Sequence, residues 1–292
     1  MMNNSVEVRN LCKHFSGFSL DNVSFAVPQG FIMGFIGPNG AGKTTTIKAI
    51  LNMITPDSGE VVLFGGEGTL ANKPELKDDI GVVMDVPFYV DEWKVKDVEA
   101  ALAPFYRNWS SAAFAEKLRK FEISATKKVK ELSRGMKVKL MLAMALAHDA
   151  KVLILDEPTS GLDPVARDDL MDILAEFVTD ERRAVLFSTH ITSDLEKVAD
   201  YITFIIGGKI EFTGERDVLL ERYRQIKGGA ENLSAEQRRM IIGYREYNVG
   251  FEGMIETENA NQFSADSVIE KTSLEEIIVY INRERAVGNH EE

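Results

Sequence analysis

One segment constrains the fold of this chain more than any other: the nine residues Gly37–Thr45, with the sequence GPNGAGKTT. An apolar run typical of a buried parallel strand, Phe31–Ile36, precedes it, and helical periodicity follows it. This order of strand, glycine-rich loop and helix is the context that the GxxxxGK[ST] phosphate-binding pattern requires. The glycines let backbone N–H groups wrap around a phosphate, Lys43 adds a positive charge, and Thr44 offers a hydroxyl to Mg²⁺. An ordinary glycine-rich turn is the alternative interpretation.

Strands that alternate with helices indicate an α/β fold with a central, mainly parallel sheet. Further buried strands are predicted at Ile80–Met84, Val152–Leu155 and Ala184–Phe187, and helices at Thr45–Met53, Val165–Val178 and Ser193–Ala199. Polar or glycine-rich residues follow every strand at once, namely Gly37–Thr44, Asp85, Asp156–Glu157 and Ser188–His190. Ligands of open α/β sheets bind beyond the carboxyl ends of the strands, so these residues are expected to meet at one edge.

Two of these strand ends carry groups suited to phosphoryl transfer. In KVLILDEPTSGLDP, Lys151–Pro164, Asp156 would hold Mg²⁺ and Glu157 would orient the attacking water. His190, in LFSTH, could hydrogen-bond a terminal phosphate. The alternatives are a pair of exposed acids at a strand end and a histidine with only a structural role.

The chain divides into regions of different character. Residues 1–84 and 150–212 form the predicted nucleotide-binding core, and residues 85–149 a helical subdomain inserted into it. Residues 213–292 form an accessory region in which Ile226–Gln237 resembles a linker or exposed turn. Leu274–Arg283 is expected to be an amphipathic helix that packs on the sheet domain or on a second copy. We expect this region to support a dimer rather than to bind a ligand.

Charge and composition exclude some classes of partner. A net charge of −12 argues against nucleic acid, and the basic run Lys127–Lys139 is either a solvated face or an aid to phosphate binding. The single cysteine, Cys12, fits a reducing compartment. No uncharged stretch reaches the ~20 apolar residues that span a bilayer, so a membrane process would need a second, membrane-embedded chain.

The segment KELSRGMKVKLMLAMALAH, Lys130–His148, completes a set of motifs. With Lys43, Asp156–Glu157 and the histidine at the end of LFSTH, its LSRGM sequence makes residues 5–212 resemble the ATP-binding subunit of an ABC transporter. The resemblance implies a P-loop NTPase core of the RecA type, with ATP and Mg²⁺ as cofactors. It also implies a second nucleotide-binding subunit, an integral membrane permease and a place on the cytoplasmic side of the membrane.

The resemblance also assigns roles to individual residues. Lys43, Glu157 and His190 would be catalytic, while Thr44, Asp156 and Asp85 would hold the metal. Ser133, Arg134 and Gly135 would cap the γ-phosphate bound by the other copy, next to a loop that contains Asp163. The residues expected to bind nucleotide are Phe15, Gly37, Pro38, Asn39, Gly40, Ala41, Gly42, Lys43, Thr44 and Thr45.

Three positions depart from the family pattern. In the Leu-Ser-Gly-Gly-Gln signature, Met136 replaces the glutamine and Arg134 the first glycine, and Arg134 could contact phosphate or ribose or point to solvent. Asp85 replaces a glutamine that contacts Mg²⁺ and water, and it either binds the metal or falls short of it. Phe15 stands where the family stacks an aromatic ring on adenine; a core phenylalanine is the alternative.

The aromatic residues of Pro87–Trp109 either pack within the helical subdomain or receive a helix of the permease, and we expect some to be partly exposed. The extra C-terminal residues resemble those of subunits paired with ABC-2-type exporters of peptides, antibiotics or lipids. A non-transport ABC ATPase and a regulatory subunit that binds ATP without hydrolysing it are the competing functions. Intact Glu157 and His190 argue against the second of these.

Overall fold

A six-stranded sheet carries the candidate site in the computed structural model, which describes residues 3–66, 69–86, 89–264 and 266–288. The strands of this sheet, in chain order, are β3 (Ile32–Ile36), β5 (Ile80–Val83), β6 (Val152–Asp156), β7 (Ala184–Thr189), β8 (Tyr201–Ile206) and β9 (Lys209–Glu215). They lie in the order β5-β6-β7-β3-β8-β9, and each neighbouring pair from β5 to β8 is parallel. The four predicted strands therefore exist, and β8 and β9 extend the sheet beyond them.

A three-stranded antiparallel sheet, which the sequence did not predict, lies in the same unit. It consists of β1 (Asn4–Phe15), β2 (Phe18–Pro28) and β4 (Ser58–Leu63) in the order β2-β1-β4. One apolar core contains residues of this sheet, of β3 and of the helix α1 (Lys43–Ile50). Burial on both faces holds β3, and with it the start of α1, at a fixed position.

Helices cover the sheet and form the region after β5. The others in this unit are α2 (Val95–Leu102), α3 (Ser111–Lys120), α4 (Arg134–Ala147), α5 (Pro164–Phe177) and α6 (Thr192–Val198). Short 3₁₀ helices lie at Phe64–Gly66, Pro74–Asp79, Ala103–Phe105 and Val129–Glu131. Between β5 and β6 the described residues form helices and turns without a strand.

The aromatic side chains of this helical region divide into two groups. Tyr106 stacks on the buried His148 with ring centroids 4.1 Å apart, and Trp109 packs on Phe114 at 5.5 Å. Phe105 and Trp93 are 75% and 39% exposed, which confirms that some rings are accessible in the isolated subunit. Pro87 and Phe88, which belong to the same predicted stretch, lie outside the described residues.

The chain divides into two compact units between Thr213 and Gly214. The elements of the second unit are α7 (Arg216–Arg222), β10 (Tyr223–Gly228), α8 (Ala235–Arg239), β11 (Ile242–Tyr247), β12 (Gly250–Glu256), β13 (Val268–Lys271) and α9 (Leu274–Gly288), with 3₁₀ helices at Ala230–Asn232 and Thr257–Gln262. Its strands form a four-stranded antiparallel sheet in the order β11-β12-β10-β13. The linker prediction for Ile226–Gln237 is wrong, since Ile226 is fully buried in β10 and Ser234 caps α8. The alternative, an exposed turn, agrees with the part between β10 and α8, where Glu231 and Ser234 are exposed.

Helix α9 packs on the sheet of its own unit. Leu274, Ile277 and Tyr280 are buried, and the Gln225 amide of β10 donates to the Tyr280 hydroxyl oxygen at 2.9 Å. The predicted amphipathic helix therefore exists, and part of its apolar side packs within the second unit. Support of a dimer by this region stays a prediction. Across the described residues, no helix is both long and apolar enough to cross a membrane.

Candidate nucleotide site

The predicted phosphate loop connects β3 to α1, and its backbone geometry requires glycine at two positions. Gly42 is the N-cap of α1 with φ +112°, and a Cβ there would lie 2.5 Å from a Leu20 methyl carbon. A Cβ at Gly37 would lie 2.2 Å from the Ile205 carbonyl oxygen. Among the described residues no side chain caps α1, and its first turn contains no acid. The loop therefore presents backbone N–H groups and a helix dipole to an anion.

Lys43 lies across this loop. Its side chain is 5% exposed, and its Nζ donates to the Gly37 carbonyl oxygen at 2.7 Å and to that of Pro38 at 3.3 Å. The same ammonium is 3.1 Å from the Glu157 Oε1 atom, so it forms an ion pair with the acid at the end of β6. A buried ammonium held by carbonyl oxygens and one carboxylate can exchange these partners for phosphate oxygens.

The two acids after β6 are held by its neighbour β7. Asp156 is buried, and its Oδ1 accepts a hydrogen bond from the Ser188 hydroxyl at 2.7 Å. The Glu157 N–H donates to the Ser188 carbonyl oxygen at 3.1 Å, while Glu157 itself has a left-handed φ of +51°. A non-glycine residue in this conformation is strained, and such strain often occurs at functional sites.

The Glu157 carboxylate lies between two other predicted catalytic residues. Its Oε2 atom is 2.7 Å from the His190 Nδ1 atom, and its Oε1 atom is the one paired with Lys43. Glu157 is 15% exposed and His190 is 41% exposed. The structure thus brings three residues from three separate strand ends within direct contact, as the sheet topology predicts.

Ser188 is a site residue that the sequence reasoning missed. It pairs with Asp156 in the parallel register of β6 and β7, which places its hydroxyl beside the Asp156 carboxylate. Its position in the polar run after an apolar strand was the available signal, but only the strand pairing shows which acid it contacts.

An ion pair with one buried partner lies at the helix after His190. Asp194 of α6 is 1% exposed, and its Oδ1 atom lies 3.7 Å from the Arg167 guanidinium of α5. Burial raises the pKa of Asp194 above its ordinary value. This contact connects the segment that carries His190 with the helix that follows the Asp-Glu pair.

The predicted signature residues form the start of α4. The helix begins at Arg134, and the Ser133 hydroxyl caps it by accepting from the Met136 N–H at 3.2 Å. Gly135 is in the first turn, where a Cβ would lie 3.1 Å from the Ala166 Cβ of α5. Ser133 and Arg134 are exposed and Gly135 is partly exposed, so the start of the helix is accessible to another molecule.

Asp163 caps α5 in the same way. Its Oδ1 atom accepts from the N–H groups of Val165 and Ala166, both at 3.0 Å. Gly161, two residues earlier, has φ +68° and lies against the Arg134 side chain. The loop that contains Asp163 is therefore adjacent to the start of α4.

Two of the departures from the family pattern, Arg134 and Asp85, contact each other, although nothing in the sequence indicates this. The Arg134 guanidinium forms an ion pair with the Asp85 carboxylate. The Arg134 side chain stays 45% exposed in this pair, and its contact with phosphate or ribose stays a prediction. Four other cations of the basic run are also paired: Lys128 and Lys130 with Glu92, Lys137 with Asp91, and Lys139 with Asp169.

Comparisons with known proteins identify the family. A family model described as "ABC transporter" matches residues 20–160. The bacitracin transport ATP-binding protein BcrA of Bacillus licheniformis is 32% identical over 260 residues, which cover 87% of this chain and 85% of that protein. The chain belongs to the ABC transporter family of ATP-binding proteins.

Other comparisons agree with this assignment. The Nod factor export ATP-binding protein I of Burkholderia lata is 34% identical over 222 residues, which cover 74% of this chain and 72% of that protein. A solved structure of an ATP-binding subunit of an ABC transporter superposes with a TM-score of 0.65 at 28% identity, over 73% of this chain and 91% of that one. The predicted family and the predicted α/β fold class, a P-loop core with a mainly parallel sheet, are both confirmed. As a family member, the chain is the ATPase subunit of a transporter.

The predicted adenine contact of this ABC ATPase, Phe15, lies at the tip of the β1–β2 hairpin. It is 47% exposed and stacks on Phe18 with ring centroids 6.5 Å apart. The Phe18 ring would itself be 3.0 Å from a Cβ at Gly42. Phe15 is thus an accessible ring near the phosphate loop, and its contact with adenine stays a prediction.

The oxygen groups near the loop fit the coordination that Mg²⁺ prefers. Thr44 is exposed in the first turn of α1, and Asp156 offers the carboxylate oxygen that Ser188 does not occupy. The part of the chain that the structure describes contains no group of three or more His, Cys, Asp or Glu residues placed to hold a metal. Mg²⁺ bound with a nucleotide needs only one or two protein ligands beside phosphate oxygens and water, so these residues suit it.

Proposed function

We propose that this subunit hydrolyses ATP with Mg²⁺, pairs around ATP with a second nucleotide-binding subunit, and drives export through a separate membrane permease. The observation that carries this proposal is the Glu157 carboxylate, held between the Lys43 ammonium and the His190 ring. A base, a phosphate-binding cation and a phosphate-sensing histidine are thereby within reach of one reacting group.

The chemistry depends on positioning and charge. Phosphoryl transfer proceeds through a loose transition state, in which catalysis comes mainly from orientation and from stabilising charge on oxygen. Lys43 would move from Glu157 to the β- and γ-phosphates, which frees the carboxylate to orient water and accept its proton. The His190 ring, 2.7 Å from Glu157 Oε2 at Nδ1, would position that carboxylate and contact the γ-phosphate.

Mg²⁺ would neutralise phosphate charge when bound. Thr44 and Asp156 would hold it, and the Ser188 hydroxyl bond keeps the Asp156 carboxylate in one orientation. Gly37, Gly40 and Gly42 would leave room for the backbone to wrap around the phosphates. Pro38, Asn39, Ala41 and Thr45 would belong to the same phosphate-binding loop.

A second copy would complete the site. Ser133 and the Gly135 N–H at the start of α4 would contact the γ-phosphate held by the partner, because a helix N-terminus favours an anion. Asp163 fixes the adjoining α5 start by its two hydrogen bonds. Loss of the γ-phosphate would remove the shared ligand and release the two subunits.

An apolar groove supports a permease as the partner. The groove has a volume of 520 Å³, and Leu51, Met53, Leu70, Pro74, Val82 and Tyr106 are among its lining residues. Met53 is 51% exposed at its rim. An amphipathic helix of a membrane protein would place apolar side chains there, which would locate this subunit at the cytoplasmic face of the membrane.

Export is favoured by the relatives. The names of two similar proteins refer to bacitracin transport and to Nod factor export. A non-transport ABC ATPase and a regulatory subunit that does not hydrolyse ATP are the alternatives. The contact between Glu157 and His190 supports hydrolysis, since a subunit that only binds ATP has no need of a positioned base.

Turnover of the Glu157→Gln variant tests the proposed chemistry. The amide keeps the shape of the side chain but cannot accept a proton, so we expect kcat to fall by about 10²- to 10³-fold with ATP binding retained. Glu176→Gln, which alters an exposed acid paired with Lys120, is the matched control and should keep normal turnover. Equal rates in all three proteins would contradict the role of Glu157.

A further inference from the structure

The start of α4 concentrates positive charge in an unfavourable place. Arg134 is the first residue of the helix, Lys137 and Lys139 follow within two turns, and the first turn contains no acid. A helix N-terminus already carries a partial positive charge, so a cation at its first position is electrostatically disfavoured. An arginine there therefore depends on a counter-charge from another part of the chain.

Asp85, in the loop after β5, supplies that counter-charge. The Arg134 and Asp85 side chains are 45% and 48% exposed. An ion pair this accessible adds little to folding stability, and competing ions can replace either partner.

Gly161 fixes the path of the arginine. A Cβ at Gly161 would lie 3.2 Å from the Arg134 Cδ atom and 3.3 Å from its Nε atom. The side chain therefore runs along the loop after β6 and reaches the loop after β5 with its guanidinium. Its charge is held by Asp85 while the side chain stays accessible to another molecule.

We infer that Asp85 competes for Arg134 with the triphosphate held by a second copy, and so sets the ATP concentration at which two copies pair. The inference rests on the proposed function, in which the γ-phosphate of the partner meets Ser133. A phosphate at Ser133 is within reach of the residue next to it, and a guanidinium binds phosphate oxygens strongly. Asp85 opposes that contact twice, by occupying the guanidinium and by repelling the phosphate. Asp85 is on this account a positioning residue for Arg134 and not a ligand of Mg²⁺.

The test measures pairing in the hydrolysis-impaired Glu157→Gln protein. Analytical ultracentrifugation with ATP titrated at excess Mg²⁺ gives the ATP concentration for half-maximal dimer. Asp85→Asn, which removes the charge but keeps the shape, should lower that concentration about 3- to 30-fold, as expected for one partly screened charge. Arg134→Gln should raise it by a similar factor.

The double variant decides between a specific pair and a general charge effect. Asp85→Asn should have no effect when Arg134→Gln is already present, because the competitor acts only through the arginine. Asp169→Asn removes the partner of Lys139 further along α4, and it should leave pairing unchanged. If Asp85→Asn fails to fold, Asp85→Ser serves the same purpose.

Three results would overturn the inference. These are unchanged or weaker pairing by Asp85→Asn, an equal effect of Asp169→Asn, and an increased Mg²⁺ requirement in Asp85→Asn that persists without Arg134. Failure of the Glu157→Gln protein itself to pair at saturating ATP is a different result, because it would contradict the proposed function before Asp85 is altered.

Discussion

Two helix N-termini, those of α1 and α4, are expected to hold opposite sides of one triphosphate, and they are built differently. Helix α1 begins at a left-handed glycine without a side-chain cap, and Lys43 in its first turn is buried against Glu157. Helix α4 begins after the capping serine Ser133, and its cations, of which Arg134 is exposed and Lys137 partly exposed, are paired with acids of other elements.

The difference follows from what each helix would contact. The α1 terminus would bind phosphate within its own subunit, so its groups are buried, close to the reacting atoms and already oriented. The α4 terminus would bind phosphate held by another molecule, so it must be accessible and stable by itself until that molecule arrives. Its serine cap and its carboxylate partners stabilise this helix start while it stays accessible.

The largest effect should come from the cation of α1. Lys43→Ala removes a charge-assisted contact to phosphate and leaves Glu157 without its ion-pair partner, so ATP affinity should fall on the order of 100-fold. Isothermal titration calorimetry with ATP measures this loss. Lys48→Ala, in the last turn of the same helix, should bind normally. Unchanged affinity in Lys43→Ala would contradict the phosphate-loop assignment.

The glycines of the two termini should differ in their tolerance of a methyl group. Gly42→Ala forces an L side chain into φ +112° and against Leu20, so it should lower the free energy of unfolding by about 2–4 kcal/mol. Gly135→Ala has a helical backbone and a single tight contact with Ala166, so its loss should stay below about 1 kcal/mol. Urea denaturation compares the two. Equal losses would show that the strain at Gly42 is not what distinguishes the loop.

Variants of two capping serines separate the two proposed roles of Ser133, which are to cap α4 and to contact the phosphate held by the partner. Ser133→Ala removes the hydrogen bond from the Met136 N–H and should cost about 1 kcal/mol of unfolding free energy. Ser110→Ala removes the cap of α3, where the hydroxyl accepts from the Ala113 N–H at 3.1 Å, and should cost a similar amount. Only Ser133→Ala should also weaken ATP-dependent pairing. Equal pairing in both variants would reduce Ser133 to a cap.

The sequence was sufficient to predict the parallel strands and the site at their carboxyl ends. Apolar runs such as Val152–Asp156 are buried on both faces, so they are continuous in the sequence and end sharply at polar residues. Lys43, Glu157 and His190 follow such runs, and their convergence depends only on the sheet being parallel.

The antiparallel elements were harder to predict. In β1 the alternation of buried and exposed residues is interrupted near Asn10, which has a φ of +50° and lies at a register shift between Val8 and Leu11. The strands of the second unit are short and rich in charged residues, as in β13, so their pattern resembles that of a linker.

The Asp85–Arg134 pair shows a different limit. The two residues are 49 positions apart, and each departs from the family pattern at its own motif. Nothing in either motif indicates the other, because their contact depends on how α4 packs beside the loop after β5. In the sequence the two departures would be explained separately, whereas in the structure they form one ion pair.

The most direct test of the account is the oligomeric state of the Glu157→Gln protein with ATP and Mg²⁺. Small-angle scattering at saturating ATP should give a dimer in which Ser133 of each copy lies at the phosphate loop of the other. Distances between spin labels at these two sites would identify that arrangement. A protein that binds ATP but stays monomeric, or a dimer in which these surfaces remain apart, would contradict the account.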